Sequence, residues 1–139
     1  EGKRRLERLA KQGFAKAQWN LGMFYYDGID PENGDYYDKD YRKSVRWLRK
    51  SAKQGYINGQ HALSVMYQHG LGVLQDYKKA ARWLEQAAMQ GDANAQYNLA
   101  VMYWNGQGLE QDRHKAKVWF KKSAAWGNKS ARKALQSIM

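Results

Sequence analysis

The residues able to bind a metal or move a proton are few, and their spacing argues against both roles. Three histidines, His61, His69 and His114, stand in a chain of 139 residues without cysteine. The lack of cysteine removes disulfides, thiolate nucleophiles and cysteine-type zinc sites together. His61 and His69 fall eight apart on one predicted helix, about 80° round from each other. Two histidines alone make a weak transition-metal site, so all three read as surface or groove contacts. Six acids, Asp27, Asp30, Glu32, Asp35, Asp38 and Asp40, share one window with a single base, Lys39. That window lacks the alternating acid-and-glycine order of a calcium loop, because Ile29 stands where the first ligand to precede Gly34 belongs. It reads as a solvated loop, with Asp30, Glu32, Asp35 and Asp38 exposed and available as a secondary recognition element. A recurrent Asp-x-x-Lys reads as helix capping rather than a catalytic pair. No catalytic constellation remains: the expectation is a protein that is not an enzyme and takes no metal or cofactor.

The elements that position these residues come from a repeat. Gln12-Gly13, Gln54-Gly55, Gln90-Gly91 and Trp126-Gly127 occupy equivalent slots, their glycines 42, 36 and 36 residues apart. Trp47, Trp83 and Trp119 recur every 36 residues, as do Asp40, Asp76 and Asp112, and Lys43, Lys79 and Lys115. Leu21, Leu63 and Leu99, like Tyr25, Tyr67 and Tyr103, are spaced 42 and then 36. A 36-residue period with one six-residue insertion explains every series, and the insertion falls between Gly28 and Asp40, where the acids gather. Each unit reads as two helices. In the third, Ala95, Leu99, Ala100 and Tyr103 share one helical face. Asn105-Gly106-Gln107-Gly108 breaks that helix, Asp112 caps the next, and Ala116, Trp119, Phe120 and Ala124 form its apolar stripe. Gly127 then ends it and Asn128 caps the last helix. The recurrent Trp, Tyr and Leu are expected in the core, with Trp47, Trp83 and Trp119 largely buried between helix layers.

The segment Ala95–Gly127, AQYNLAVMYWNGQGLEQDRHKAKVWFKKSAAWG, resembles the Sel1-like repeat family, a branch of the tetratricopeptide-like helical repeats. Ser64 and Ala100 stand where that family prefers Gly, and Gly59 where it prefers Ala. The resemblance implies an all-α fold, a right-handed α/α superhelix (solenoid) of about three helix-pair repeats. One domain, 1–139, would hold units at about 14–55, 56–91 and 92–127. Residues 1–13 would be the second helix of a preceding unit, and 128–139 a terminal helix. Glu1 in place of Met suggests that a segment lies upstream. The missing cysteines set the chain apart from the disulfide-bearing members of the family.

In such repeats the first helices line a concave groove and the second helices form the convex back. Register then places Trp19, Met23 and Tyr26, then His61, Val65 and Gln68, then Tyr97, Val101 and Trp104 on the groove wall, with Lys133 continuing the row. The bases gather instead on the second helices, which hold 19 of the 24 Lys and Arg, leaving the groove nearly free of them. Net charge is +11, but the acidic window carries −5 of its own, so the remainder carries +16. Specific nucleic-acid readout is disfavoured by that placement, although a basic back can meet phosphates. No run of 18 apolar residues spans a membrane, and a hydrophobic share of 43% is too rich for a disordered tail. The expected function is non-enzymatic: a monomer holding a protein or peptide in an aromatic-lined groove, as a bacterial adaptor or regulator. The alternatives are an immunity or inhibitor protein that neutralises a partner enzyme or toxin, and a binder of anionic polymers or nucleic acid through the basic convex back. Composition leaves the compartment open, while the resemblance favours periplasm or secretion over cytoplasm.

Overall fold

The computed structural model describes residues 2–138, which form eight α-helices and one isolated antiparallel bridge, Ile29 with Tyr36. The helices are α1 (Gly2–Lys11), α2 (Ala15–Asp27), α3 (Tyr41–Lys53), α4 (Ile57–His69), α5 (Tyr77–Met89), α6 (Ala93–Asn105), α7 (Arg113–Ala125) and α8 (Lys129–Ile138). The chain divides into two compact units, one holding α1 to α4 and the other α5 to α8, with the division at Gln75–Asp76. The helices belong to an all-α repeat fold.

Helix ends repeat because their capping chemistry repeats. The side chains of Asp40, Asp76 and Asp112 accept from the amides of Lys43, Lys79 and Lys115 at 3.1, 3.1 and 3.0 Å. Each carboxylate satisfies an orphan donor of the first turn and complements the helix dipole. At the other end Gly28, Gly70 and Gly106 take φ near +70° and return their amides to Phe24, Met66 and Met102. That left-handed geometry is open to glycine at little cost. Asn128 caps α8 through a 2.8 Å bond from Ala131 N–H.

In the first unit Leu6 and Ala10 of α1 pack with Ala17, Leu21, Phe24 and Tyr25 of α2. Gly22 permits close approach, since a Cβ there would stand 2.8 Å from Leu48. In the second unit Ala100, Ala116, Phe120 and Ala131 join α6, α7 and α8. The Leu series is fully buried, with Leu21, Leu63 and Leu99 each 0% exposed. The Trp series is not: Trp47, Trp83 and Trp119 are only half-buried. Lys50 and Lys122 lie over the rings of Trp47 and Trp119 at 4.7 and 4.5 Å. An indole against the core on one side and under a lysine stem on the other needs no complete burial.

Candidate functional site

In the first unit, α2 and α4 each bury one stripe and leave an offset row beside it. On α2 the buried stripe includes Gln18, Leu21, Phe24 and Tyr25, and the half-buried row is Trp19, Met23 and Tyr26. On α4 the buried stripe includes Gln60, Leu63, Met66 and Tyr67, and His61 and Val65 stand half-buried. These rows enclose a hollow of about 330 Å³, walled by Trp19, Met23, Tyr26, Asn58, His61, Ala62 and Val65 above Leu48 and Met66. No Lys, Arg, Asp or Glu side chain lines it. Trp19 leans on Tyr56 with ring centroids 6.0 Å apart, and Tyr26 on Tyr41 at 5.7 Å. Five of the expected first-unit residues therefore share one wall. Gln68 does not line the hollow; its carbonyl accepts from Gln75 Nε2 at 2.8 Å.

In the second unit Tyr97, Val101 and Trp104 occupy α6, half-buried and packed against Ala100, Ala116, Phe120 and Ala131. Tyr97 meets Phe120 at 5.8 Å between centroids. One basic side chain reaches this row: Arg113 of α7 lies 4.5 Å from the Trp104 ring. A guanidinium on a long stem crosses from one helix to the aromatic face of the next. Lys133 is exposed on α8.

The acidic loop needs a correction. Glu32, Asp35 and Asp38 are exposed, but Asp30 is 1% exposed. Its Oδ1 accepts from Glu32 N–H at 2.9 Å, its amide donates to Asp35 O, and its carbonyl accepts from Gly34 N–H, both at 2.8 Å. A Cβ at Gly2 would fall 2.7 Å from Asp30 Oδ1, so the carboxylate sits against the first turn of α1. Arg5 of α1 pairs with Glu32 at 3.3 Å. The insertion is a small folded ribbon laid on α1. A second hollow of about 480 Å³ opens there, mixing Leu6, Leu9, Phe14 and Pro31 with Arg5, Lys16 and Glu32. Sequence reasoning did not find it.

Among the described residues no three His, Asp or Glu side chains gather as a metal site. His61 belongs to the first hollow, while His69 and His114 are exposed. Tyr25 is held off its ordinary range. Burial raises its pKa, aided by the negative charges of Glu7 and Asp40. The sequence reading also missed a recurrent glutamine. Gln18, Gln60 and Gln96 are buried and donate to Ala10 O, Ala52 O and Ala88 O at 3.2, 3.3 and 3.1 Å. Their spacing of 42 and 36 was the available signal.

This arrangement has known counterparts. A Sel1 repeat protein from Oxalobacter formigenes superposes with a TM-score of 0.82 at 38% identity, covering 96% of both chains. A protective antigen present in uropathogenic Escherichia coli strains, displaying an SLR fold, gives 0.87 at 36% identity. There the match covers 95% of this chain and 27% of the antigen. Cysteine-rich protein B of Helicobacter pylori shares the fold, with a TM-score of 0.70 at 24% identity over 95% of this chain and 96% of that one. An F-box protein of Arabidopsis thaliana is 33% identical over 63 residues, 45% of this chain and 16% of that protein. Residues 15–56, 57–92 and 93–128 each match the Sel1 repeat model, one helix pair per match. With the caps, glycines and buried leucines recurring in the same register, the chain belongs to the Sel1 repeat family.

Proposed function

We propose that the chain is a bacterial adaptor or regulator that grips a protein segment by an apolar anchor seated in the hollow between α2 and α4. Sel1 repeats are generally protein–protein interaction modules and non-catalytic scaffolds. The carrying observation is the hollow itself: about 330 Å³, without Lys, Arg, Asp or Glu, and walled by Trp19, Met23, Tyr26 and Val65. That size lies at the lower end of the range for ligand pockets, and its aromatic wall suits a central binding anchor. Asn58 and His61 supply polar groups at the rim for the backbone of an extended segment. In the second unit Tyr97, Val101 and Trp104 form a further contact strip on α6, with Lys133 on α8. Glu32, Asp35 and Asp38 offer an acidic edge to basic side chains of the same partner.

Peptides selected against the full chain from a random display library provide the test, with affinities measured by calorimetry. Trp19→Ala should weaken the selected peptides by at least ~30-fold, the equivalent of about 2 kcal/mol. Val65→Glu should do the same by placing a charge in the hollow. Peptides whose affinity ignores both substitutions would refute this reading. Circular dichroism of each variant separates lost binding from lost fold.

A further inference from the structure

We infer that the outward rows of α1 and α3 form a second binding surface, for the phosphate backbone of a nucleic-acid duplex held without regard to sequence. On α1 each exposed residue is basic: Arg4, Arg5, Arg8 and Lys11. On α3 the same holds for Arg42, Lys43, Arg46, Lys50 and Lys53. A surface shaped only for solubility intersperses both signs. The corresponding helices of the second unit are mixed: α5 exposes Tyr77, Gln86 and Met89 among its bases, and α7 exposes His114, Val118 and Ala125. The purity of α1 and α3 is therefore not a general habit of the repeat.

The two helices approach one another at Tyr25. Lys3 Nζ of α1 and Lys43 Nζ of α3 lie 5.6 and 5.4 Å from the centroid of the same ring, Tyr25. Trp47 of α3 packs against the cluster that holds Leu6 and Ala10 of α1. Acids offset part of the charge on α1, where Glu7 meets Lys3, Glu32 meets Arg5 and the Asp30 carboxylate sits against the first turn. They offset little of it on α3, which has Asp40 at its N-cap. From Tyr41 to Gln75 there is no Asp or Glu. Among the described residues the ion pairs are Lys3–Glu7 at 3.7 Å and Arg5–Glu32 at 3.3 Å. Arg4, Arg8, Arg42 and Arg46 face solvent with no ion-pair partner among the described residues.

The chemistry of these rows selects the partner. They expose no aromatic ring for stacking, which disfavours single strands, and no Asn or Gln for adenine edges. Their arginines can reach guanine edges, but rows made of bases alone are met chiefly by phosphates whatever the sequence. The face of Trp47 is already taken by Lys50. They also expose no apolar side chain to enter acyl chains, which disfavours a membrane surface. What remains is a dense row of fixed cations, and a duplex offers about one phosphate charge per 1.7 Å of its axis. This surface is independent of the peptide reading above.

The test measures fluorescence anisotropy of the full chain with a labelled mixed-sequence duplex of about 20 base pairs. Four neutralised phosphates imply roughly 100-fold weaker binding between about 50 and 200 mM salt. Arg8→Glu with Arg46→Glu should weaken binding at least ~10-fold and flatten the salt slope by about two units. Lys129→Glu with Arg132→Glu on α8 changes net charge equally and should alter affinity less than ~3-fold. Should the first pair disturb folding, judged by circular dichroism and melting, Arg8→Gln with Arg46→Gln carries the same comparison. Equal weakening by the α8 pair would reduce the effect to net charge and overturn the proposal. So would absence of duplex binding at low salt, or tighter binding to phosphatidylserine vesicles or to poly-glutamate than to the duplex.

Discussion

Gln60 shows what a single repeated side chain contributes. Its amide reaches Ala52 O at the end of α3, a carbonyl that also accepts from Gly55 N–H at 3.0 Å. The bond ties the start of one helix pair to the end of the previous second helix. Gln60→Ala should cost about 1–2 kcal/mol in denaturant unfolding, because buried hydrogen bonding that includes the bond to Ala52 O is lost and a void remains. Gln60→Leu should cost less, since it keeps the volume and Ala52 O keeps one partner; equal costs would deny the packing half of this argument. Tyr25 makes a prediction in pH. Its pKa in the folded chain is raised by burial and then by Glu7 and Asp40, so the unfolded chain releases the phenolic proton first. The stability this group contributes is present below its ordinary pKa near 10 and is lost as pH rises toward the folded value. The melting temperature should fall above pH ~10, and Tyr25→Phe should fall less steeply over that window. Parallel curves for the two proteins would count against the assignment.

At the scale of elements, the ribbon between α2 and α3 decides more than its charge suggested. Asp30 was one acid among six in the sequence, and nothing in composition or spacing distinguished it from Asp35 or Asp38. The distinction is geometric: the Ile29–Tyr36 bridge turns Asp30 inward, where its carboxylate holds Glu32 N–H beside the first turn of α1. A negative charge is favoured at that helix end. Asp30→Ala should therefore cost about 1–2 kcal/mol, while Asp38→Ala should stay within about 0.5 kcal/mol. Thermal melts of the two variants check the ranking, and equal effects would return Asp30 to the surface. Removing residues 29–34 restores the period of the repeat but strips Asp30 from α1, so it should lower stability rather than leave it untouched. Helix order, caps and buried leucines were legible in the sequence because each occupies a slot whose backbone geometry or burial permits few residues. The half-buried tryptophans and the stacking of Arg113 on Trp104 were not. Long amphipathic side chains choose partners from whatever surface lies within their reach, and no periodicity encodes that choice.

At the scale of the molecule, two chemistries lie on opposite aspects of the same helix. Leu48 of α3 is 0% exposed and lies beneath the hollow that Trp19 and Val65 wall. Two residues either way, Arg46 and Lys50 face solvent. A hollow walled mainly by apolar side chains and rows of exposed cations should answer differently to salt. Peptide binding at Trp19 should change less than ~3-fold between about 50 and 200 mM salt, where the duplex loses roughly 100-fold. The helix between them is close-packed, and no second arrangement of it is evident that either ligand could select. Saturating peptide should consequently leave duplex affinity within about threefold, and saturating duplex should leave peptide affinity unchanged to the same degree, as reciprocity of linkage demands. Calorimetric titration of one ligand in the presence of the other measures both sides of that cycle. A tenfold effect in either direction would mean that α3 moves between two positions and that the two surfaces work as one switch. Independence would instead make the chain a rigid bridge, able to hold a protein segment and a polyanion at once.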